Sequence, residues 1–220
     1  MVIGTRLKMM TAAFLLAGAI SVVSLAQGTE DLSPKVILKR VRLAYASLTT
    51  YRDTGYAMHQ YKEDCWTNTF SELLGTRTYY RIEVITAPHP YSHTNRWWSD
   101  GLDNYSQQGG PTVFEGMELA GNLSLLSQET TLPAIYFNLS WGNVFVPLKL
   151  GPDNELVRMP DENIGGVSCY VVARTTATSK AKLWVGKQDF LIRRCQTNGR
   201  TETHENIITN ETLRREDYLP

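Results

Sequence analysis

The chain has little of what usually marks an enzyme or a nucleic-acid-binding protein. Its 220 residues carry 22 basic and 22 acidic side chains, so no positive excess favours a nucleic-acid partner. It has no Gly-x-Ser-x-Gly elbow, no His-Glu-x-x-His motif, no P-loop and no dinucleotide fingerprint. We therefore expect no catalytic residue, no cofactor and no nucleic-acid partner. Carboxylates such as Asp100 and Asp103 could still converge with distant groups on an unmarked active site.

Histidine is also scarce, with four residues in the whole chain. His89 and His93 have a spacing that suits a metal ion on a helix, but Pro88 and Pro90 make a helix there improbable. His59 and His204 stand alone in the sequence. We therefore expect no metal site and interpret the His89 region as a surface loop.

The three cysteines are Cys65, Cys169 and Cys195. Cys169 and Cys195 fall near opposite ends of two strands that a third strand separates by about 10 Å, and a disulfide needs Cα atoms within about 7 Å. Either Cys65 pairs with one of them, or all three remain reduced.

The chain's most prominent apolar run, Met9 to Val23, lies near its start. Arg6 and Lys8 precede it, and small residues end at Ala26, a pattern typical of a secretory signal peptide cleaved before Gln27. A retained membrane anchor is the alternative, but the run is shorter than the roughly 20 residues that span a bilayer. We expect residues 1–26 to be a signal peptide and residues 27–220 to be one exported, soluble domain with a formal charge of −2.

The mature chain begins with an amphipathic helix. Ser33 suits the N-cap and Pro34 the first helical position. An apolar stripe formed by Ile37, Val41, Ala44 and Leu48 predicts about four turns packed on a sheet.

Strand patterns follow from Tyr51 onward. Runs at residues 54–61, 68–74 and 78–86 are rich in β-forming residues, and an Asp-Gly turn at Asp100 predicts a hairpin between residues 95–99 and 102–107.

Residues 165–196 predict an antiparallel meander. The connection from Gly186 to Asp189 is too short for a crossover helix. Strict alternation would place Phe190 and Ile192 on one face and Leu191 and Cys195 on the other. A last strand is expected at residues 203–209.

Between Thr112 and Trp141 apolar residues recur at nearly helical spacing, interrupted by glycine and proline. We interpret this segment as two short helices that must dock an apolar face, because short helices have little stability alone. The apolar side chains are either plain core or the lining of a ligand pocket.

The meander and the Asp-Gly hairpin together resemble a known family. The closing half of this chain is similar to that of the periplasmic lipoprotein-carrier superfamily, which includes LolA-like, LolB and RseB-like proteins. The residues that carry the likeness are a Gly before Cys169-Tyr-Val-Val, then Leu183-Trp-Val and Leu191-Ile-Arg-Arg. The Trp98-Ser-Asp-Gly hairpin followed by Tyr105 resembles its first half. The likeness runs from about Pro34 to Pro220.

The resemblance implies an α+β fold: an unclosed, curved antiparallel β half-barrel with an N-terminal helix and short lid helices, residues 112–141, on its concave face. It implies non-catalytic binding of acyl chains of lipids or lipoproteins in the periplasm, by a monomer, with possible envelope protein partners. In such carriers an arginine latches the lid, and Arg77 or Arg81 lies on the matching strand. The expected groove and lid residues are Phe114, Leu123, Leu126, Ile135, Phe137, Trp141 and Trp184.

Two other functions stay open at this stage. A protein-binding sensor of the same fold predicts a packed interior and an exposed apolar patch. An enzyme predicts titratable groups with perturbed pKa values in a cleft.

Overall fold

Most of the residues that the structure describes form strands of one antiparallel sheet. A computed structural model describes residues 31–76, 78–87, 92–116, 126, 129–137, 156–175 and 180–220. Over these residues the strands are β1 (Tyr51–Tyr61), β2 (Asp64–Leu74), β3 (Tyr79–Ala87), β4 (His93–Asp100), β5 (Asn104–Gln108), β6 (Val113–Glu115), β7 (Leu156–Ile164), β8 (Val167–Thr175), β9 (Lys180–Gly186), β10 (Ile192–Thr197) and β11 (Arg200–Thr209). The helices are α1 (Pro34–Ala46) and α2 (Leu132–Tyr136), and a 3-10 turn covers Arg215–Tyr218.

The first and last strands of the chain pair with each other in the middle of the sheet. Its strand order is β6-β5-β4-β3-β2-β1-β11-β10-β9-β8-β7, so β1 is the sixth of eleven strands and pairs with the last strand of the chain. Every described pair is antiparallel, and β6 and β7 form the two edges, so the sheet is not closed. The predicted unclosed half-barrel is confirmed.

Helix α1 forms as the sequence predicts. The amide of Val36 donates to the Ser33 side chain at 3.4 Å, which places Ser33 at the N-cap. Ile37 and Val41 are fully buried, and Ala44 and Leu48 pack against the same core. The helix therefore docks on the sheet through the expected stripe.

We call the sheet face that α1 and α2 cover the inner face and the opposite one the outer face. The main core lies on the inner face, where side chains of both helices meet those of the strands. A smaller cluster on the outer face joins Ile164, Cys169, Val171 and Trp184.

The predicted meander is confirmed, but its strict alternation at the start of β10 is wrong. The register between β9 and β10 shifts between Ile192 and Arg194. Leu191, Ile192 and Cys195 consequently all belong to the inner-face core, and Phe190, which has a positive φ of 56°, packs against it as well. A bulge inserts an extra residue and resets which face each later side chain takes.

The cysteines are free. Cys169 is buried in the outer-face cluster, Cys195 is buried in the inner-face core, and Cys65 is exposed. The sheet itself therefore separates Cys169 from Cys195, as the strand spacing predicts.

In the predicted lid region, helix is described at α2 and at Leu126. The predicted helix is wrong at Val113–Glu115, which pair with β5 as the edge strand β6. Residues 117–125 and 138–155 lie outside the described residues, as do the predicted signal peptide and its boundary at Gln27. Among the described helices, none is long and apolar enough to cross a bilayer.

Candidate functional site

Four charged or titratable side chains are buried on the inner face at the middle of the sheet. Asp53 of β1 lies directly opposite Glu72 of β2, while Glu202 and His204 of β11 lie opposite Ala57 and Gly55 of β1. The exposed fraction is 1% for Asp53 and Glu72, 0% for Glu202 and 3% for His204. We call Asp53, Glu72, Glu202 and His204 the buried cluster.

His204 lies between two carboxylates. Its Nδ1 is 2.7 Å from Asp53 Oδ2, and its Nε2 is 3.1 Å from Glu202 Oε1. Burial alone would lower the pKa of His204, but the two carboxylates outweigh it and raise that pKa to about 10. Tyr51 donates a further hydrogen bond of 2.8 Å to Asp53 Oδ2.

Glu202 is the anionic centre of the cluster. It accepts a hydrogen bond of 2.5 Å from Arg200 and one of 3.0 Å from the amide of Thr131. Burial would raise the pKa of Glu202, but the charge of Arg200 and the contact with His204 lower it well below its usual range. Glu202 therefore remains ionised although it is fully buried.

Glu72 has a different electrostatic environment. Burial, followed by the repulsion of Asp53, raises the pKa of Glu72 well above its usual value. Thr130 Oγ1 lies 2.6 Å from Glu72 Oε1 and 2.9 Å from Glu202 Oε1. Its single hydroxyl proton serves one carboxylate at a time, so a proton on Glu72 satisfies the second contact.

Residues 129–137, which we call the lid segment, dock on this cluster through both polar and apolar contacts. Thr130 and Thr131 bind Glu202, and the Thr131 hydroxyl lies 3.7 Å from Cys195 Sγ. On the apolar side, Leu126 and three residues of the lid segment are at most 4% exposed and belong to the inner-face core. The three are Leu132, Ile135 and Phe137.

A second polar contact holds the start of the lid segment. The Asn68 side chain donates to Glu129 and lies 3.3 Å from His59 Nε2. His59 stacks on Trp66 with ring centroids 4.8 Å apart, and burial together with the charge of Arg200 lowers the pKa of His59 to about 4. A cleft of about 480 Å³ opens beside these rings.

The predicted groove residues fall into three groups. Leu126, Ile135 and Phe137 lie together in the inner-face core. Trp184 lies on the outer face, because Leu183 and Val185 take the inner positions of β9, and its ring nitrogen donates to Glu162 at 2.9 Å. Phe114 is 52% exposed on the edge strand β6, away from the core; Leu123 and Trp141 lie outside the described residues.

The two arginines predicted to latch the lid are Arg77 and Arg81. Arg81 lies between the inner-facing Tyr80 and Ile82, so it faces outward, and it donates to the backbone oxygen of Leu219 at 2.8 Å. Arg77 lies outside the described residues. Among the residues that the structure describes, Glu202 accepts hydrogen bonds from the backbone amide and the hydroxyl of Thr131 in the lid segment.

The buried cluster was not predicted, and His204, expected to be isolated, is part of it. Asp100, which could have joined an active site, instead accepts the backbone amides of Leu102 and Asp103 in its own turn. One signal was present: Glu72 falls in phase with the buried Phe70 and Leu74, so a charged residue occupies a core position of β2.

The cluster combines clustered titratable groups with perturbed pKa values, which are typical of enzymes. The four residues are at most 3% exposed, however, and Thr130 and Thr131 of the lid segment contact their carboxylates. The arrangement can fix the lid segment to the sheet, and its carboxylates and imidazole can bind a cation.

No protein-family model matches the chain, and neither does any curated protein in sequence. Among solved structures, LprF from Mycobacterium bovis is similar with a TM-score of 0.47 and 8% identity, over 82% of this chain and 94% of that one. A LolA superfamily protein from Nitrosomonas europaea is similar with a TM-score of 0.37 and 10% identity, over 86% of this chain and 98% of that one.

The complex of MucA and MucB from Pseudomonas aeruginosa is similar with a TM-score of 0.42 and 11% identity, over 84% of this chain. This chain spans 60% of the length of that protein. These identities and TM-scores assign no role to any residue, so the roles have to be argued from the site.

Proposed function

We propose that this protein binds the acyl chain of a lipid or lipidated protein on its inner face, without catalysis, after the lid segment opens. The observation that carries the proposal is the way the lid region fills the inner face. Leu126, Leu132, Ile135 and Phe137 occupy the space between the strands and α1 that an acyl chain would take.

The energies allow such an exchange. Each buried methylene contributes about 0.8 kcal/mol, so an acyl chain gains roughly 10 kcal/mol before ordering costs. The four lid side chains contribute about 1.5–3 kcal/mol each when fully buried. A ligand can therefore displace a lid whose apolar contacts are of similar strength.

The polar contacts around Glu202 give the lid a defined closed position. Thr130 and Thr131 bind the carboxylate directly, and Arg200 and His204 hold it ionised. In this proposal Glu202 performs the latching role that the family resemblance assigns to an arginine.

The proposal includes a periplasmic location and handover to an envelope partner. The support comes from the pattern of residues 1–26, which has the charged, apolar and small-residue parts of an export signal. Delivery of an acyl chain also requires a partner, because the exposed chain would be insoluble.

A protein-binding function is the alternative, and one observation favours it. Val113 and Phe114 are 47% and 52% exposed on β6, and Leu102 in the neighbouring loop is 82% exposed. Apolar side chains at a sheet edge suit the addition of a strand from a partner. This function needs no opening of the lid.

Native mass spectrometry of residues 27–220, purified from an envelope extract, tests the proposal. We expect a bound lipid that solvent extraction releases, and a higher melting temperature when palmitic acid or a triacylated lipopeptide is added. Ile135→Asp should abolish both effects, whereas the matched change Phe114→Asp on the exposed edge should leave them intact.

A folded protein that carries no lipid, and whose melting temperature ignores both probes, would refute acyl-chain binding. Loss of lipid binding in Phe114→Asp but not in Ile135→Asp would place the lipid on the edge strand and refute binding on the inner face. Circular dichroism of each variant separates lost binding from lost folding.

A further inference from the structure

We propose that Asp53, Glu72 and His204 form a buried binding site for a zinc ion. One possible ligand atom from each residue lies within 4.8 Å of those of the other two, and all three side chains are at most 3% exposed. The residues come from the three adjacent strands β2, β1 and β11, so the rigid middle of the sheet fixes their backbones.

Each carboxylate has one oxygen engaged and one free. Asp53 Oδ2 accepts from Tyr51 and lies 2.7 Å from His204 Nδ1, and Glu72 Oε1 contacts Thr130. Asp53 Oδ1 and Glu72 Oε2 are buried without a hydrogen-bond partner among the described residues. A buried carboxylate oxygen without a partner is costly, and a cation between these two atoms would satisfy both.

His204 is oriented as a metal-binding histidine usually is. Its Nδ1 faces Asp53 at 2.7 Å, and its Nε2 faces the carboxylate of Glu202 at 3.1 Å. A histidine that binds zinc through one nitrogen commonly donates its other N–H to a carboxylate, which fixes the ring. Glu202 is positioned for that role, and Nδ1 would exchange its contact with Asp53 Oδ2 for the ion.

The charges of the site also fit a divalent ion. Asp53, Glu72 and Glu202 bring three negative charges, and Arg200, bound to Glu202 at 2.5 Å, brings one positive charge. One divalent ion balances the remaining two negative charges when His204 binds as a neutral imidazole. The buried site is then neutral as a whole.

The ligand set selects zinc over calcium and magnesium. Two carboxylate oxygens and one imidazole nitrogen match the three protein ligands of an open zinc site, whereas calcium takes six to eight oxygens. Zinc bonds of about 2.0–2.2 Å place ligand atoms about 3.3 Å apart. The three side chains need to converge by roughly 1–1.5 Å, a distance that small rotations of Asp53 and Glu72 cover.

The experiment uses residues 27–220 carrying Cys65→Ser, without a histidine tag, because the exposed thiol would add a second zinc site. After treatment with a chelator, the protein is titrated with ZnCl₂ by calorimetry, and the bound metal is counted by elemental mass spectrometry. We expect one zinc per chain and a melting temperature that rises with zinc but not with an equal concentration of MgCl₂.

Asp53→Asn and Glu72→Gln should each weaken zinc binding at least tenfold, because each replaces an anionic ligand with a neutral amide. Tyr51→Phe should weaken it roughly 10-fold or more through loss of the hydrogen bond that orients Asp53. Glu205→Gln, on the same strand as His204 but exposed, is the matched control and should bind as the parent does. Urea unfolding confirms that each variant is folded.

Absence of saturable zinc binding in the folded parent would overturn the proposal and leave the cluster balanced by protons. Equal zinc affinity of Glu72→Gln and Glu205→Gln would overturn it too, since the ion would then bind elsewhere. The zinc titration contains no lipid, so its outcome does not depend on acyl-chain binding.

Discussion

At the scale of single residues, Glu202 connects the lid segment to the charged groups of β11. It is fully buried and contacts Arg200, His204, Thr130 and Thr131. Glu202→Gln removes the buried negative charge, and with it the ion pairs that Glu202 makes with the half-buried Arg200 and with His204. We expect the free energy of unfolding to fall by about 3–5 kcal/mol, measured by urea denaturation.

Glu205→Gln is the control for this change, because Glu205 is exposed on the same strand. It should alter stability by no more than about 0.5 kcal/mol. Equal effects of the two substitutions would contradict the role given to Glu202.

Gly55 allows two strands to pack closely at the cluster. A Cβ atom there would lie 2.2 Å from the backbone oxygen of Thr203 and 2.4 Å from Phe70 Cζ. The backbone oxygen cannot move without breaking the pairing of β1 with β11. Gly55→Ala should therefore cost about 1–3 kcal/mol or more, measured as a lower urea midpoint.

Gly110→Ala provides the comparison, because the nearest atom to its Cβ would be 3.9 Å away. A stability of Gly55→Ala equal to that of Gly110→Ala would show that β1 and β11 can separate without loss.

His59 makes stability depend on pH. Its pKa in the folded protein is lowered to about 4 from an ordinary value of 6.5, mainly because burial disfavours the charged ring. The unfolded chain therefore binds this proton more readily than the folded chain. We expect the contribution of His59 to be complete above pH 6.5 and to be lost progressively as the pH falls toward 4.

The pKa can be read directly from the His59 ring signals in a proton NMR titration. The free energy of unfolding of His59→Gln should fall less between pH 6.5 and pH 4 than that of the parent protein, because the contribution of His59 is absent. A measured pKa near 6.5 would contradict the half-buried position of the ring stacked on Trp66.

Residue patterns in the sequence predicted the core positions better than the polar ones. Ile37, Val41, Leu126, Ile135 and Phe137 are all buried, because an apolar period of 2 or 3.6 reports the buried face directly. The buried cluster escaped prediction because its members are far apart along the chain. Charged and polar residues are usually exposed, so the sequence did not assign His204 to the core, nor Glu72 despite its position in phase with the apolar residues of β2.

At the scale of elements, the Thr130 hydroxyl connects the lid segment to the sheet. Replacing it with a methyl group hardly changes the volume of the side chain. Thr130→Val removes the contacts with Glu72 and Glu202 but keeps the shape of the side chain. We expect hydrogen exchange at the amides of Thr131 and Phe137 to become at least tenfold faster, because the lid opens more often. Exchange in β2 and β11 should change much less.

Thr69→Val is the matched control, since Thr69 is exposed on the opposite face of β2. Faster exchange spread over the whole sheet in Thr130→Val would show that the lid segment and sheet open as one unit.

Helices and strands were predicted well where a capping or turn residue indicated a boundary. Helix α1 begins at Pro34 behind its Ser33 cap, and the Asp100 turn joins β4 to β5 as expected. The bulge after Ile192 was missed, because the sequence there alternates normally and only pairing with β9 reveals the shift. The strand at Val113–Glu115 was missed because its three residues are too few to show a period.

At the scale of the whole molecule, the sheet divides the thiols between two faces and solvent. Burial raises the pKa of Cys169 to about 11 and that of Cys195 to about 12, so both stay protonated and enclosed. We expect a thiol reagent at pH 8 to modify only Cys65 in the native protein and all three cysteines after denaturation.

A count of fewer than three reactive thiols in non-reducing denaturant would reveal a disulfide and contradict the free cysteines. The Cys65→Ser variant, in which no thiol should react before unfolding, identifies the residue responsible.

The architecture itself was accessible from the sequence only in part. Short connections such as residues 187–191 force neighbouring strands to be antiparallel, so local hairpins follow from the sequence. The pairing of β1 with β11 cannot be predicted in this way, because no local pattern in either strand indicates which strand it pairs with. The buried cluster exists only through that pairing, which brings Asp53 beside His204.

The pairing of β1 with β11 also determines the order in which the molecule can fold. Strands β1–β6 and β7–β11 can each form from adjacent hairpins, but the ladder between Tyr51 and Thr209 must wait until the last strand has been synthesised. Contacts so distant along the chain make folding slow, because loop closure has to precede them. A nascent chain that stops before Arg200 therefore consists of two half-sheets with an open seam in the centre, and those exposed edges are where aggregation would begin.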